Sequence, residues 1–448
     1  MPENSNTAGT SVDGSSSAFW LYDLATGDDD ARLCRDIPDE QCREQPKSFL
    51  SQVVALTLSK TGDAVADTKI VLPWLLGAVG APAFLVGFLV PIRESLALLP
   101  QVLVGVFIRR FPVRKAFWSV SSMVQGTCVI LMGIAAFSGL RGATAGWTIV
   151  GLLVVFSLAR GIASIAAKDT LGKTVSKGRR GRVNGYAATA SGLAAVAVGV
   201  YLALSPSDRP DWLLYTVIVA AGVSWLLAAG VFARIEEHPG ATEGGRGVGD
   251  LLRNQVMLMA RDKELQKFLL ARAMLISTAL AGPVYVGLAQ REIGQAIDAL
   301  GLLMIAAGLA NAVSSSVWGI FSDRSSRMTM ASGGLLAGAL GGAVVAGLEV
   351  LPGATESIAF YAGVFFILGI AHAGVRIGRK THVVDLAGAE NKAEYVALSN
   401  TLIGILLLVM GALTGVLLTI GLEFTVIALS GFSVLGALMA ARMQNAQA

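Results

Sequence analysis

Apolar stretches of membrane-spanning length recur along this chain. "GWTIVGLLVVFSLA", "DWLLYTVIVAAGVSWLLAAGVFA" and "NTLIGILLLVMGALTGVLLTIGL" approach or exceed the ~20 apolar residues that a helix needs to cross a bilayer. Of the 448 residues 54% are hydrophobic and only 15% charged, and the mean hydropathy is +0.64. A soluble globular chain does not have this composition. The fold class is therefore an all-α, multi-pass membrane protein.

Twelve spans can be laid out, at about residues 50–78, 83–107, 116–139, 145–167, 184–206, 211–233, 265–289, 297–321, 329–350, 357–379, 396–420 and 422–441. The basic residues sort by side. One set of loops holds Arg109, Arg110, Arg114 and Lys115, then Lys168, Lys173, Lys177, Arg179, Arg180 and Arg182, then Arg324 and Arg327, then Arg379, Lys380 and Lys392. The opposite loops hold Arg141, Arg209 and Arg291. Basic loops stay in the cytoplasm, so both termini are expected there and the number of spans is even. A plasma membrane, the inner membrane of a bacterium, is the expected location. The +4 net charge is thus a matter of topology, and nucleic acid is not implied.

Four regions are expected. Residues 1–48 form a polar, acidic cytosolic tail, read as disordered, that lacks the pattern of a secretory signal. Residues 49–233 and 265–442 form two six-helix bundles, with 234–264 as a cytosolic linker. Within the tail, "FWLYDL" can rest on the membrane, bind a partner or do neither. An internal repeat supports the division. "GVFIRRFPVRK" from Gly105 recurs as "GIFSDRSSRMT" from Gly319, Lys173-Thr174 as Lys380-Thr381, and "YAATAS" from Tyr186 as "YVALSN" from Tyr395.

Enzyme chemistry finds no support. Cys34, Cys42 and Cys128 are too few and too scattered for a disulfide framework or a thiolate metal site, and His238, His372 and His382 match no zinc spacing. No nucleotide-binding loop and no GxSxG elbow is present. No bound cofactor and no metal is expected.

The repeated loops resemble the cytoplasmic loop G-x-x-x-D-R-x-G-x-R/K-R/K of the major facilitator superfamily of secondary transporters. In the first half Gly105, Arg110, Arg114 and Lys115 fall at matching positions, with Arg109 replacing the acid and Pro112 the second glycine. In the second half Gly319, Asp323 and Arg324 match, Ser326 replaces the glycine, and Met328-Thr329 stand where a basic pair would be. "SLARGIASIAA", with Arg160, is similar to the family's helix 4 segment. The resemblance covers about residues 49–442 and implies twelve helices in two pseudo-symmetric bundles, a monomer in the bilayer that moves a small anionic or amphipathic solute coupled to protons. A broad-specificity exporter of drugs or metabolites, or a non-transporting assembly or lipid-handling protein of the same fold, are the alternatives. It also implies that helices 1, 4, 7 and 10 line a central cavity. A glycine in the loop permits close helix packing, and an acid at a helix end can hold one state of a rocking pair of bundles. Gating is accordingly expected at both loops, at Gly105, Arg110 and Arg114 in the first and Gly319, Asp323 and Arg324 in the second, with the bias set mainly by the Asp323 loop. The bland alternative is that such loops only fix topology.

Charges inside the spans are costly, about 2.5–3.5 kcal/mol each on insertion scales, and need a partner or a watery path. Arg93 and Glu94 lie near the middle of the second span. Adjacent helical residues point about 100° apart, so each needs a partner on another helix. Lys60, Asp63 and Asp67 recur on one face of the first span, which leads to an expected cluster of Asp63 and Asp67 with Arg93, and of Lys60 with Glu94, while Lys69 points elsewhere. Three readings stand: a proton-coupling site with Glu94 and Asp67 as proton carriers, a structural ion-pair network, or a boundary slipped into cytosolic water. Arg160, Arg272, His372 and Arg376 add positive or titratable groups from both halves, and cavity arginines suit an anionic or carboxylate-bearing solute. His372 can equally be a packing residue, and Arg376 can snorkel to headgroups. Trp74, Trp147 and Trp212 are expected as interface anchors, with contact to substrate as a second reading for Trp74.

Overall fold

The computed structural model describes residues 39–206, 212–240, 248–387 and 392–445, together with Tyr22, Ile37 and Thr242. Cys34, Arg209 and all of "FWLYDL" except Tyr22 lie outside the described residues.

Among the described residues, eleven helices are long and apolar enough to cross a membrane. These are spans 2 to 12: Ala83–Ile108, Lys115–Phe137, Gly142–Thr174, Lys177–Ala203, Trp212–Ala233, Lys263–Ile293, Ile297–Arg324, Ser326–Val350, Ile358–Leu386, Glu394–Ile420 and Leu422–Ala441. Span 1 makes the twelfth. It consists of two helices, Asp39–Val65 and Val71–Ala78, and Lys60, Asp63, Asp67 and Lys69 crowd the break between them. That break and those charges are why it fails a purely apolar criterion.

The packing repeats from one half to the other. In the first half span 3 packs on spans 4 and 6, span 2 on span 4, and span 1 on spans 5 and 6; in the second half span 9 packs on spans 10 and 12, span 8 on span 10, and span 7 on span 12. Adding six to each number of the first set largely gives the second, so two pseudo-symmetric six-helix bundles result. Small residues let these helices approach, as they must where lipid supplies no hydrophobic drive between helices. Gly126 and Gly222 bring spans 3 and 6 together so closely that a Cβ on Gly126 would sit 2.6 Å from the Gly222 carbonyl oxygen.

Between the bundles, span 2 packs on span 11, span 5 on span 8, and the second helix of span 1 on span 7. These contacts concentrate at the face opposite the basic loops. There a Cβ on Gly87 would lie 2.6 Å from the Gly415 nitrogen, and one on Gly301 2.3 Å from the Ala203 nitrogen. Gln290 Nε2 donates to the Trp74 carbonyl at 3.0 Å, and Gln295 Nε2 to the Gly77 carbonyl at 3.1 Å. Toward the basic face the halves diverge: Gly181, Gly185 and Gly319 have open space around them.

Three expectations change. Span 1 begins at Asp39, inside the stretch read as tail. Tyr22 of that tail is buried: its ring packs edge-on to Phe49 with centroids 5.4 Å apart, Arg179 stacks over it, and Gln45 donates to its hydroxyl. Trp74 is no lipid anchor, because it is 1% exposed and sits at the seam with span 7, whereas Trp147 and Trp212 are 54% and 43% exposed on the outer surface.

Candidate functional site

Span 4 carries Arg160 and span 2 carries Arg93, and both converge on Asp63 of span 1. Arg93 Nη2 donates to Asp63 Oδ1 at 2.6 Å, Arg160 pairs with Oδ2, and Arg160 also reaches the Ser59 hydroxyl at 3.3 Å. The Arg93 guanidinium lies 5.0 Å from the centre of the Phe156 ring. One carboxylate thus bridges two guanidinium groups, and three helices of the first bundle are tied at mid-span.

Glu94 faces the other way. The charges nearest in effect to its carboxylate are Lys69, Arg379, Arg93 and Arg272, from spans 1, 10, 2 and 7, yet no cation among the described residues comes within ion-pair distance. The roughly 100° between neighbouring positions therefore turns Arg93 into the first bundle and Glu94 toward the second. Arg272 is buried and donates to the Ser399 hydroxyl of span 11.

Helix periodicity misplaced the rest of span 1. The expected grouping of Asp67 with Arg93 assumed a continuous helix, but the helix ends at Val65. Asp67 Oδ1 instead accepts from the backbone N–H groups of Lys69 and Ile70, at 2.7 and 3.1 Å, and holds the turn between the two helices. Lys60 does not reach Glu94; its Nζ donates to the Asn184 carbonyl of span 5 at 3.3 Å. Lys69, expected to point elsewhere, swings inward to His372, with Nζ 2.9 Å from Nε2. Nothing in the sequence flags the break apart from the polar run Asp67-Thr68-Lys69, in which an aspartate can cap its own following backbone.

A cavity of about 1130 Å³ lies between the bundles. Its polar wall contains Lys60, Asp67, Lys69, Asn311, His372 and Arg376, and its apolar wall includes Val71, Ala279, Phe365 and Leu368. His372 lines this space and is hydrogen-bonded to Lys69 and Thr278, and Arg376 lines it too and bonds Asn311 Oδ1 at 2.7 Å. Gly192 of span 5 and Ala312 of span 8 line the cavity, and a Cβ on Gly192 would meet nothing within 4 Å, in contrast to the close contact of Gly199 and Gly301 farther from the basic loops. Spans 1, 7 and 10 contribute to the wall together with spans 5 and 8, whereas Arg160 of span 4 is engaged with Asp63.

The two loops differ. In the first, Arg114 pairs with Asp169 at the end of span 4, and the backbone N–H groups of Arg114 and Lys115 donate to Glu237. Lys173 joins the cluster, 2.9 Å from Asp169 and 2.8 Å from Glu237. The residues after span 6 are thereby fastened to their own bundle. In the second loop, Arg327 donates to the carbonyls of Ala441 and Met443 at the end of span 12, while Asp323 and Arg324 are exposed, as is Arg110. Neither Gly105 nor Gly319 is closely packed, because the halves stand apart at this face. Sequence reasoning missed Asp169 and Glu237, which carry no motif of their own.

Among the described residues no cluster of His, Cys, Asp and Glu could hold a metal ion. The family model of the Major Facilitator Superfamily matches residues 268–445, most of the second bundle. No curated protein matches the chain. Solved structures do: a mutant of the nucleoside transporter NupG has a TM-score of 0.64 at 12% identity, covering 88% of this chain and 99% of its own. A D-xylose-proton symporter has 0.63 at 13%, covering 89% and 98%. A POT family transporter in complex with a thioalcohol-conjugated peptide has 0.62 at 12%, covering 91% and 98%. The resemblance read from the loops is matched by the family model over the second bundle, and the chain shares the fold of these transporters along nearly its whole length.

Proposed function

We propose that this protein is a secondary active transporter that moves a small anionic or amphipathic solute by alternating access, coupled to protons. The observation that carries this reading is the cavity between the bundles, lined by ionisable groups from both halves, with the bundles in backbone contact beyond it at Gly87 and Gly415 and at Gly199 and Gly301. A cationic, partly apolar chamber near mid-membrane suits a solute with an acid group and an apolar body. Solved neighbours include a proton symporter. Glu94, which lies among cations of spans 1, 2, 7 and 10, and Asp67, which lines the cavity, are the carboxylates proposed to carry the proton. Asp67 has only Oδ1 engaged in the turn, at 2.7 and 3.1 Å from the Lys69 and Ile70 nitrogens. The basic loops and both termini are assigned to the cytoplasm, which makes the present state inward-open.

The test uses proteoliposomes and a variant lacking Cys34, Cys42 and Cys128. Cysteines at Gly178 and Ala354 report sidedness and should react with impermeant maleimide from the basic-loop side and the opposite side respectively. A cysteine at Ala312 should react from the basic-loop side, and one at Gln290 should become reactive from the opposite side when a proton gradient is imposed. Fixed, one-sided accessibility under every gradient would mark a non-transporting membrane protein with this fold.

A further inference from the structure

Lys69 and His372 meet across the seam between the bundles. An ammonium group has no lone pair, so Lys69 is the donor and Nε2 the acceptor in their 2.9 Å contact. The ring proton must then be on Nδ1, which faces the Thr278 hydroxyl at 3.2 Å; that hydroxyl in turn donates to the Leu275 carbonyl at 2.9 Å. This directed chain leaves His372 neutral, in one tautomer, beside a cation.

The surroundings make a second proton on the ring conditional. Lys69 faces it from span 1, Arg376 and Arg379 lie along its own span, and Thr278 of span 7 is neutral. Asp67, the carboxylate closest in sequence to Lys69, has one oxygen committed to two backbone N–H groups. Protonating Nε2 would set an N–H against the Lys69 ammonium, unless an anion came between them. A carboxylate there can accept one charge-assisted hydrogen bond from each. Val71, Ala279, Phe365 and Leu368 of the cavity wall would cover an apolar body attached to it.

We propose that Lys69 and His372 form the anchoring site for the carboxylate of an amphipathic organic anion, and that one proton enters with it onto His372 Nε2. This rests on the transport reading and gives its site a substrate class. In the exchange, the Lys69 to His372 hydrogen bond breaks, Nε2 takes a proton from solution, and the anion bonds to both groups. The charge of the loaded site equals that of the empty one.

The experiment uses the purified full-length protein and hexanoate, which is ionised throughout pH 6 to 8, with hexanol and chloride as controls. Hexanoate should raise the unfolding temperature, by mass action on the folded state, and the controls should not. Its binding should take up about one proton, so that affinity falls by up to about tenfold per pH unit as pH rises. In His372→Gln, hexanoate should bind with no proton uptake and no pH dependence. In Lys69→Gln, the preference for hexanoate over hexanol should collapse and the pH dependence weaken, because the cation opposing the free protonated ring is gone; this variant decides the matter if His372→Gln does not fold. Unchanged proton uptake in His372→Gln, unchanged pH dependence in Lys69→Gln, equal stabilisation by chloride, or no effect of hexanoate would each overturn the assignment. If two-sided accessibility persists alongside such a failure, the transport reading survives and only the substrate site falls.

Discussion

Asp63 is the residue on which most of the first bundle's buried charge depends. It neutralises Arg93 and Arg160 at once, and all three side chains are only 19–26% exposed. Asp63→Asn would leave two guanidinium groups facing each other in the membrane without an anion. Breaking a buried ion pair by removing one partner costs about 3–5 kcal/mol, and partial exposure lowers the expectation to about 2–4 kcal/mol. The variant should therefore show a clearly lower unfolding temperature in detergent. Combining it with Arg160→Gln should recover much of the loss, because one arginine and Ser59 can share the remaining space with less repulsion. A single variant as stable as the parent would show the cluster to be well hydrated and mechanically idle. This pairing was half legible in the sequence. Charge cost alone brought Arg93 to Asp63, and an ion-pair network fastening span 1 to span 2 or 4 is one reading of those charges, but that Arg160 shares the same carboxylate with Arg93 depends on a helix rotation no single sequence discloses. Lys69 was misplaced for a physical reason: side-chain direction follows period only while the helix continues, and Asp67 ends it by capping the backbone.

At the scale of elements, the number, length and order of the spans were readable because lipid imposes a length and a polarity that few residues can evade. Which helices meet across the seam was not readable, since it depends on where small residues from distant segments coincide. Spans 5 and 8 show this. Gly199 and Gly301 let their backbones touch near the face opposite the basic loops, where a Cβ on Gly301 would lie 2.6 Å from the Gly199 carbonyl oxygen. Gly301→Val overpacks only the state in which that face is closed. Overpacking costs about 1–3 kcal/mol, enough to move the balance toward the alternative state by roughly fivefold or more. A cysteine at Ala312, on the cavity side of span 8, should then react more slowly from the basic-loop side. Unaltered reactivity in a stable Gly301→Val protein would mean that the seam yields without opening.

For the whole molecule, the asymmetry between the two repeated loops decides how the bundles can be biased. In the first half the loop is clamped within its own bundle by Arg114, Asp169, Lys173 and Glu237, so a rigid rotation of the bundles leaves those contacts intact. Such a cluster stabilises a bundle and does not choose between states. Asp323 at the end of span 8 is different: it is exposed, and it sits at the face where the halves stand apart. Any contact it makes across that gap can form only when the gap closes. Asp323→Asn should consequently leave the present open state untouched and remove a charged contact from the closed one. An exposed charge contact is worth up to about 1 kcal/mol, with a typical range of roughly 0.2–1, so the open state should gain up to about fivefold in relative population. The cysteine at Ala312 should label correspondingly faster from the basic-loop side, with the unfolding temperature nearly unchanged and the effect diminishing in high salt. Unchanged labelling together with normal solute flux would reduce Asp323 to a residue that fixes topology, and would leave the glycine seams as the elements that set the balance between the two faces.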